Sequence, residues 1–396
     1  MNVQSPDTTA ADAAPSFSPV DNDPPLRWQR KLGIVPPNGT GVGRRVIVLT
    51  VLAWLVPTVW AAFTHRLWEG AKGESLLQHF GVHARFLVAV VLLIVAESLV
   101  HKGMTRMIEQ FTRSGIIGPA ARAPFERILS SMRRLRDNSL PWILLVGIVL
   151  AWTLGDVPDP HADELSWALG GNGQLGFGGW WVAWVSRPIF LALLLAWLWR
   201  LLLVIVLFAR IGRLELSLVP THPDRVGGLG FVQAVPGAFA AVTFALSVVV
   251  SSHWAHGLLY HGQAVESLKL PGIMFVAIVA LTLLLPLLML APALLAAKKQ
   301  ALPVYAALVG EHGRLVHRRW ILHEEVGDAA LLDAPEIGPI ADTAAIYEAA
   351  EAMRPFPIGK RAIMSILVPI ALPMLIVVAL QVPIKDVLVK LLKALV

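Results

Sequence analysis

Arg200 stands inside the apolar run from Trp184 to Ala209, where an arginine at the centre of a membrane helix costs about 2.5–3.5 kcal/mol on insertion scales. Something must offset that cost. The only carboxylate inside any other long apolar run is Glu97, one helical turn before His101 and on the same helix face. These residues predict a Glu97–Arg200 pair facing a bundle interior, joined by His101. A buried pair of this kind can fix helix register, or it can serve the passage of a proton or an anion. An arginine snorkelling to the surface is the remaining arrangement.

A second candidate is the turn Val219-Pro-Thr-His-Pro-Asp-Arg-Val-Gly-Gly-Leu-Gly230, directly before an apolar run. Pro220 and Pro223 stop helix, while Gly227, Gly228 and Gly230 permit close backbone approach or positive φ. With His222, Asp224 and Arg225 beside amides at a helix start, the turn could hold a phosphate or a lipid headgroup. Equally, Asp224 could cap the helix and leave the glycines to packing.

Histidine offers a third chemistry. His79 and His83 are four residues apart and His253 and His256 three apart, so each pair would share a helix face and could chelate Zn or Cu. Asp156, Asp159, Asp163 and Glu164 add oxygen donors nearby in sequence. Loop histidines at a membrane surface need no metal, however, and neither a metal nor another cofactor is expected. His323-Glu324 is not a zinc-protease motif, because Gly327 stands where the second histidine is required.

The elements that must carry these residues follow from composition. The 396 residues are 56% hydrophobic and only 15% charged, against about 25% charged in soluble domains. Crossing ~30 Å of hydrocarbon takes about 20 apolar residues, with every backbone amide bonded inside its own helix. Seven segments meet or approach this: Val46 to Phe63, Phe86 to Val100, Leu140 to Leu154, Trp184 to Ala209, Phe231 to Ser252, Leu270 to Ala297 and Ala362 to Leu380. The expected fold is an all-α, polytopic transmembrane bundle. The sixth segment is longer than the bilayer and must tilt, kink or protrude at Pro286 and Pro292. Pro369 and Pro373 break the seventh likewise.

Charge sets the orientation. The first, third, fifth and seventh flanks hold 24 Lys and Arg residues and the even-numbered flanks seven, which predicts a cytoplasmic amino terminus. Residues 1–26, with five prolines, four aspartates and no basic residue, read as a disordered tail. Residues 27–45 form a basic juxtamembrane segment suited to anionic headgroups. The six spans of 46–297 precede a cytoplasmic helical insert, 298–361, and span seven, 362–380. Residues 381–396 read as an amphipathic helix on the outer interface. The absence of cysteine excludes disulfides, thiolate metal sites and cysteine nucleophiles. A last span without lysine excludes a retinal Schiff base, and no GxxxxGK[ST] loop occurs. The basic balance reports membrane orientation and not nucleic acid.

Thr221-His-Pro-Asp-Arg with Gly227-Gly-Leu-Gly-Phe231, and Met353-Arg-Pro-Phe-Pro-Ile358 before the last span, resemble a bacterial family of multi-pass inner-membrane proteins. The resemblance implies a bacterial inner membrane and carries no activity with it. Three function classes stay open: passage of an ion or small solute near Glu97 and Arg200, a scaffold recruiting a cytoplasmic partner or a second copy through 298–361, and an enzyme acting on lipid or phosphate at the 220–230 turn.

Overall fold

The computed structural model describes residues 16–36, 41–68, 75–155, 165–169, 173–326 and 338–381. After a short amino-terminal helix, α1 (Pro24–Lys31), seven helices are long and apolar enough to cross a membrane. They are α2 (Val42–Phe63), α3 (Phe80–Arg113), α5 (Ser139–Gly155), α6 (Phe177–Ile211), α7 (Leu229–Tyr260), α8 (Val265–Leu288) and α11 (Lys360–Gln381). Three further helices lie between spans: α4 (Pro119–Asp137), α9 (Ala291–Val316) and α10 (Gly338–Glu351). Among the described residues the only pairing outside helices is an isolated bridge, Leu169 with Leu175. The chain is a multi-pass, all-α membrane protein.

Helix α3 forms the centre of the bundle. Half of its apolar stretch (50%) is buried by protein, against 11% for the stretch that includes α5, so α5 lies at the periphery with most of its residues uncovered by the rest of the chain. Around α3 pack α2, α6 and α7, with α11 against α7 and α8 against both α6 and α11. The main core runs from Ala89 to Phe111 on α3 and from Leu193 to Ile211 on α6, together with Phe125 and Leu129 of α4 and Phe239 of α7. A second, smaller core around Trp60, Trp167 and Phe86 closes the opposite end.

A proline here creates an acceptor that a neighbour uses. Pro57 has no amide to give the carbonyl four residues earlier, and that carbonyl, on Ala53, accepts from the buried Ser186 hydroxyl at 2.6 Å. At α11 a second hydroxyl crosses between helices: Ser247 of α7 donates to Ile370 O at 2.7 Å, between Pro369 and Pro373. Small residues and hydroxyls thereby join helices that hydrophobicity alone would leave free to slide.

The sixth segment breaks between its two prolines, as expected: α8 ends at Leu288, the chain bends at Met289 and Leu290, and α9 starts with Pro292 in its first turn. Gly212 packs so tightly here that a Cβ would lie 2.6 Å from the Met289 carbonyl oxygen. One expectation changes: residues 16–26 are not a disordered tail. Phe17, Val20, Asp23 and Leu26 are each at most 2% exposed, and Phe17 and Val20 belong to the main core. Reciprocal side-chain-to-backbone bonds hold this segment: Arg136 Nη1 donates to Ser18 O at 2.9 Å and Arg27 Nη2 to Asp137 O at 2.8 Å.

Helix α4 lies across the basic end of the bundle and was not foreseen. Ala121, Phe125, Leu129, Met132 and Arg136 are buried along one stripe, the 3.6-residue period of an amphipathic helix, while Arg122, Arg127, Arg133 and Arg134 are exposed. The insert between α8 and α11 is helical as expected, α9 packing on α10. The helix expected at 381–396 lies outside the described residues, as do Asp156, Asp159, Asp163 and Glu164.

Candidate functional site

The Glu97–Arg200 pair forms, inside a larger cluster of four charges. Arg200 Nη1 lies 2.9 Å from Glu97 Oε1, an ion contact without the alignment of a hydrogen bond. Arg45 of α2 forms a fork on the same carboxylate, with Nη1 on Oε2 and Nη2 3.1 Å from Oε1. Asp23 completes the quartet by accepting at one oxygen, Oδ2, from Arg200 Nε at 3.3 Å and Nη2 at 2.8 Å. Its other oxygen accepts from Leu26 N at 3.1 Å and so caps α1.

All four side chains are buried, at 0% to 2% exposure, and two guanidiniums face two carboxylates. Such an arrangement is tolerable in a low-dielectric interior because the charges balance and most of the polar atoms are hydrogen-bonded, Arg45 Nε and Arg200 Nη1 being the exceptions. Trp197, one helical turn before Arg200, adds an aromatic face 5.0 Å from the guanidinium carbon. The Trp197 indole donates to Leu93 O at 3.0 Å, one turn before Glu97, which fixes α6 against α3. Burial pushes the Asp23 carboxyl above its ordinary range despite the opposing pull of Arg200.

His101 does not join the quartet. Its Nδ1 is buried with no hydrogen-bond partner, so the shared helix face places it in line with Glu97 without bringing it to the charges. Arg45 and Asp23 were the members that sequence reasoning missed. Arg45 was assigned to a basic juxtamembrane surface, yet it enters α2 as a buried residue.

The turn at 220–230 is also built differently from an open anion cradle. The donors are present, but Asp224 occupies them: Oδ1 accepts from Val226 N at 2.9 Å and Gly228 N at 3.1 Å, and Oδ2 from Gly230 N at 2.7 Å. Burial alone would raise its pKa, yet these three amides, with His222 Nδ1 2.9 Å away, hold the carboxyl below its ordinary value. Gly227 and Gly228 take positive φ of 66° and 94°, which aims their neighbours' amides inward. Arg225 is exposed.

The two segments that carried the family resemblance meet at this turn. Arg354 N donates to Arg225 O at 2.7 Å, and Arg354 Nη2 to Asp224 O at 3.3 Å. Lys298 Nζ seals the same corner by donating to Glu351 O and Met353 O, each at 2.8 Å. The turn is thus a clasp between the start of α7 and the chain entering α11.

The histidines gather at the far end without forming a metal cage. The His79 and His256 rings lie 5.4 Å apart, but His79 Nδ1 is engaged by Ser75 O at 2.8 Å and His256 Nδ1 by Gln78 O at 3.1 Å. His83 is held between Trp54 Nε1 and Leu76 O. Among the described residues no group of three or more His, Asp or Glu side chains, His253 included, is placed to bind a metal ion. No family model, no curated protein and no solved structure matches the chain, so its chemistry must be read from these side chains.

Proposed function

We propose that the protein is a bacterial inner-membrane passage for a small anion, and that the segment from Phe17 to Lys31 is the plug that closes it from the cytoplasmic side. The observation that carries this reading is the origin of the fourth charge. Arg45, Glu97 and Arg200 sit on spans, whereas Asp23 sits on the segment docked among them. If that segment withdraws, two guanidiniums face one carboxylate, and the vacated Arg200 must take up another anion or water.

The test is anion flux into proteoliposomes. Deleting residues 1–26, or Asp23→Ala, is expected to raise chloride flux at least about tenfold over the intact chain, the effect of removing ~1.4 kcal/mol of closure. Arg200→Ala on the deleted background should return flux to the level of protein-free vesicles. No flux above that level from any variant would refute the reading.

A second reading is supported by a separate observation. Along α9 and the turn after it, Val304, Leu308, Trp320, Ile321 and Leu322 are 49% to 67% exposed beside Arg314, Arg318 and Arg319, which suits a partner-binding arm. Deleting 300–350 should then remove a co-purifying protein while the bundle remains folded.

A further inference from the structure

Helix α4 and the end of α6 border a shallow, open groove of about 380 Å³ lined by Pro124, Arg127, Ile128, Ser131, Arg210, Arg213 and Leu214. Three arginines line it. Among the described residues none of the three forms an ion pair, and the adjacent Glu126 is turned toward Arg122 at 3.5 Å. Unmatched arginines at one place are unfavourable by mutual repulsion unless an anion sits among them.

We infer that this groove is a binding site for the phosphate of an anionic phospholipid headgroup. Arg210 is already oriented, its Nη1 donating to Ser131 Oγ at 2.7 Å. The hydroxyl keeps its own hydrogen for a phosphate oxygen, and Arg127 and Arg213 supply forked donors that match phosphate geometry. The position suits a lipid in particular. Arg210 is in the last turn of a membrane-crossing helix, and α4 is an amphipathic helix at that same end, so the groove lies at headgroup depth. Pro124, Ile128 and Leu214 give the apolar wall that a glycerol and the start of its acyl chains require. The inference is independent of anion passage, because the quartet and the groove share no residue.

The experiment is thermal unfolding of the full chain in a neutral detergent, followed by tryptophan fluorescence, with added diphosphatidylglycerol, phosphatidylglycerol, phosphatidylcholine or inorganic phosphate. Both anionic lipids should raise Tm in a dose-dependent way, by linkage to the folded state. Phosphatidylcholine should not. Arg127→Gln and Arg213→Gln, both at exposed positions, should each weaken the apparent affinity about five- to tenfold, as expected for a lost charge-assisted contact. Arg133→Gln, on the exposed face of the same helix, should leave it unchanged. An equal shift with inorganic phosphate at matched concentration would overturn the lipid assignment. An undiminished shift in the Arg127→Gln/Arg213→Gln double variant would overturn the site.

Discussion

Asp23 and Arg200 are 177 positions apart and joined by two hydrogen bonds to one carboxylate oxygen in a fully buried setting. The contact ties the amino-terminal segment to the fourth span and makes the bundle's charge balance depend on a residue outside every span.

Glu97 serves two guanidiniums, so Glu97→Ala should be the most damaging single change in the quartet. Removing one partner of a buried pair costs about 3–5 kcal/mol, and here two cations lose the same acceptor. Asp23→Asn should cost less, since the amide oxygen can still accept from Arg200. Unfolding in mixed micelles should rank the variants in that order, and a double-mutant cycle on Glu97 and Arg45 should show coupling above about 0.5 kcal/mol.

Asp224 should leave a signature in pH. Its folded-state pKa lies below the ordinary value, so its stabilising contribution is present above the unfolded pKa of about 3.9 and is lost as pH falls through the folded one. The stability gap between the intact chain and Asp224→Asn should therefore be constant from pH 7 to about 5 and close below about 4. Its size at pH 7 should be about 1–2 kcal/mol, reduced from the full worth of three charged hydrogen bonds by partial solvent screening. A gap that widened on acidification would mean that the clasp does not rely on the ionised carboxylate.

Two glycines test close approach. A Cβ on Gly212 would meet the Met289 carbonyl oxygen, which is backbone and cannot swing aside. A Cβ on Gly230 would lie 2.9 Å from Asp224 Oδ2. Gly212→Ala should cost about 1–3 kcal/mol by overpacking and loosen the bend between α8 and α9. Gly230→Ala should be rescued in part by Asp224→Ser, whose shorter side chain leaves room.

Orientation can be read with single cysteines, since the chain has none of its own. Thr64 and Ser114 are exposed beyond opposite ends of spans. In intact cells an impermeant maleimide should label Thr64→Cys and should reach Ser114→Cys only after permeabilisation. The reverse pattern would invert the charge-based orientation and place the plug outside.

Much of this fold is written in hydropathy. Seven apolar runs become seven spans because lipid leaves a backbone no alternative to helix, and Glu97 and Arg200 find each other because a bilayer tolerates neither alone. Asp23 was hidden by its surroundings: prolines and small polar residues read as disorder, and the burial of Phe17 and Val20 exists only once α4 and α6 have made a seat. Arg45 was misread because basic residues at a span edge normally face lipid headgroups. The stripe Ala121, Phe125, Leu129 and Met132 was present in the sequence, masked by the arginines between its members. At the 220–230 turn the amide donors were identified correctly, but the anion they hold is the chain's own Asp224. Of the paired histidines, His79 and His256 each have Nδ1 engaged by a backbone carbonyl, a partner that residue spacing does not reveal.

The burial of Asp23 also orders events during biosynthesis. The segment leaves the ribosome ahead of all seven spans, yet its partner Arg200 is made 177 residues later, a delay of roughly 9–35 s at 5–20 residues per second. Until then Phe17, Val20 and Asp23 have no seat. Their docking reports that the first, second and fourth spans have been inserted and brought together, so a segment made before every span finds its place only after four of them.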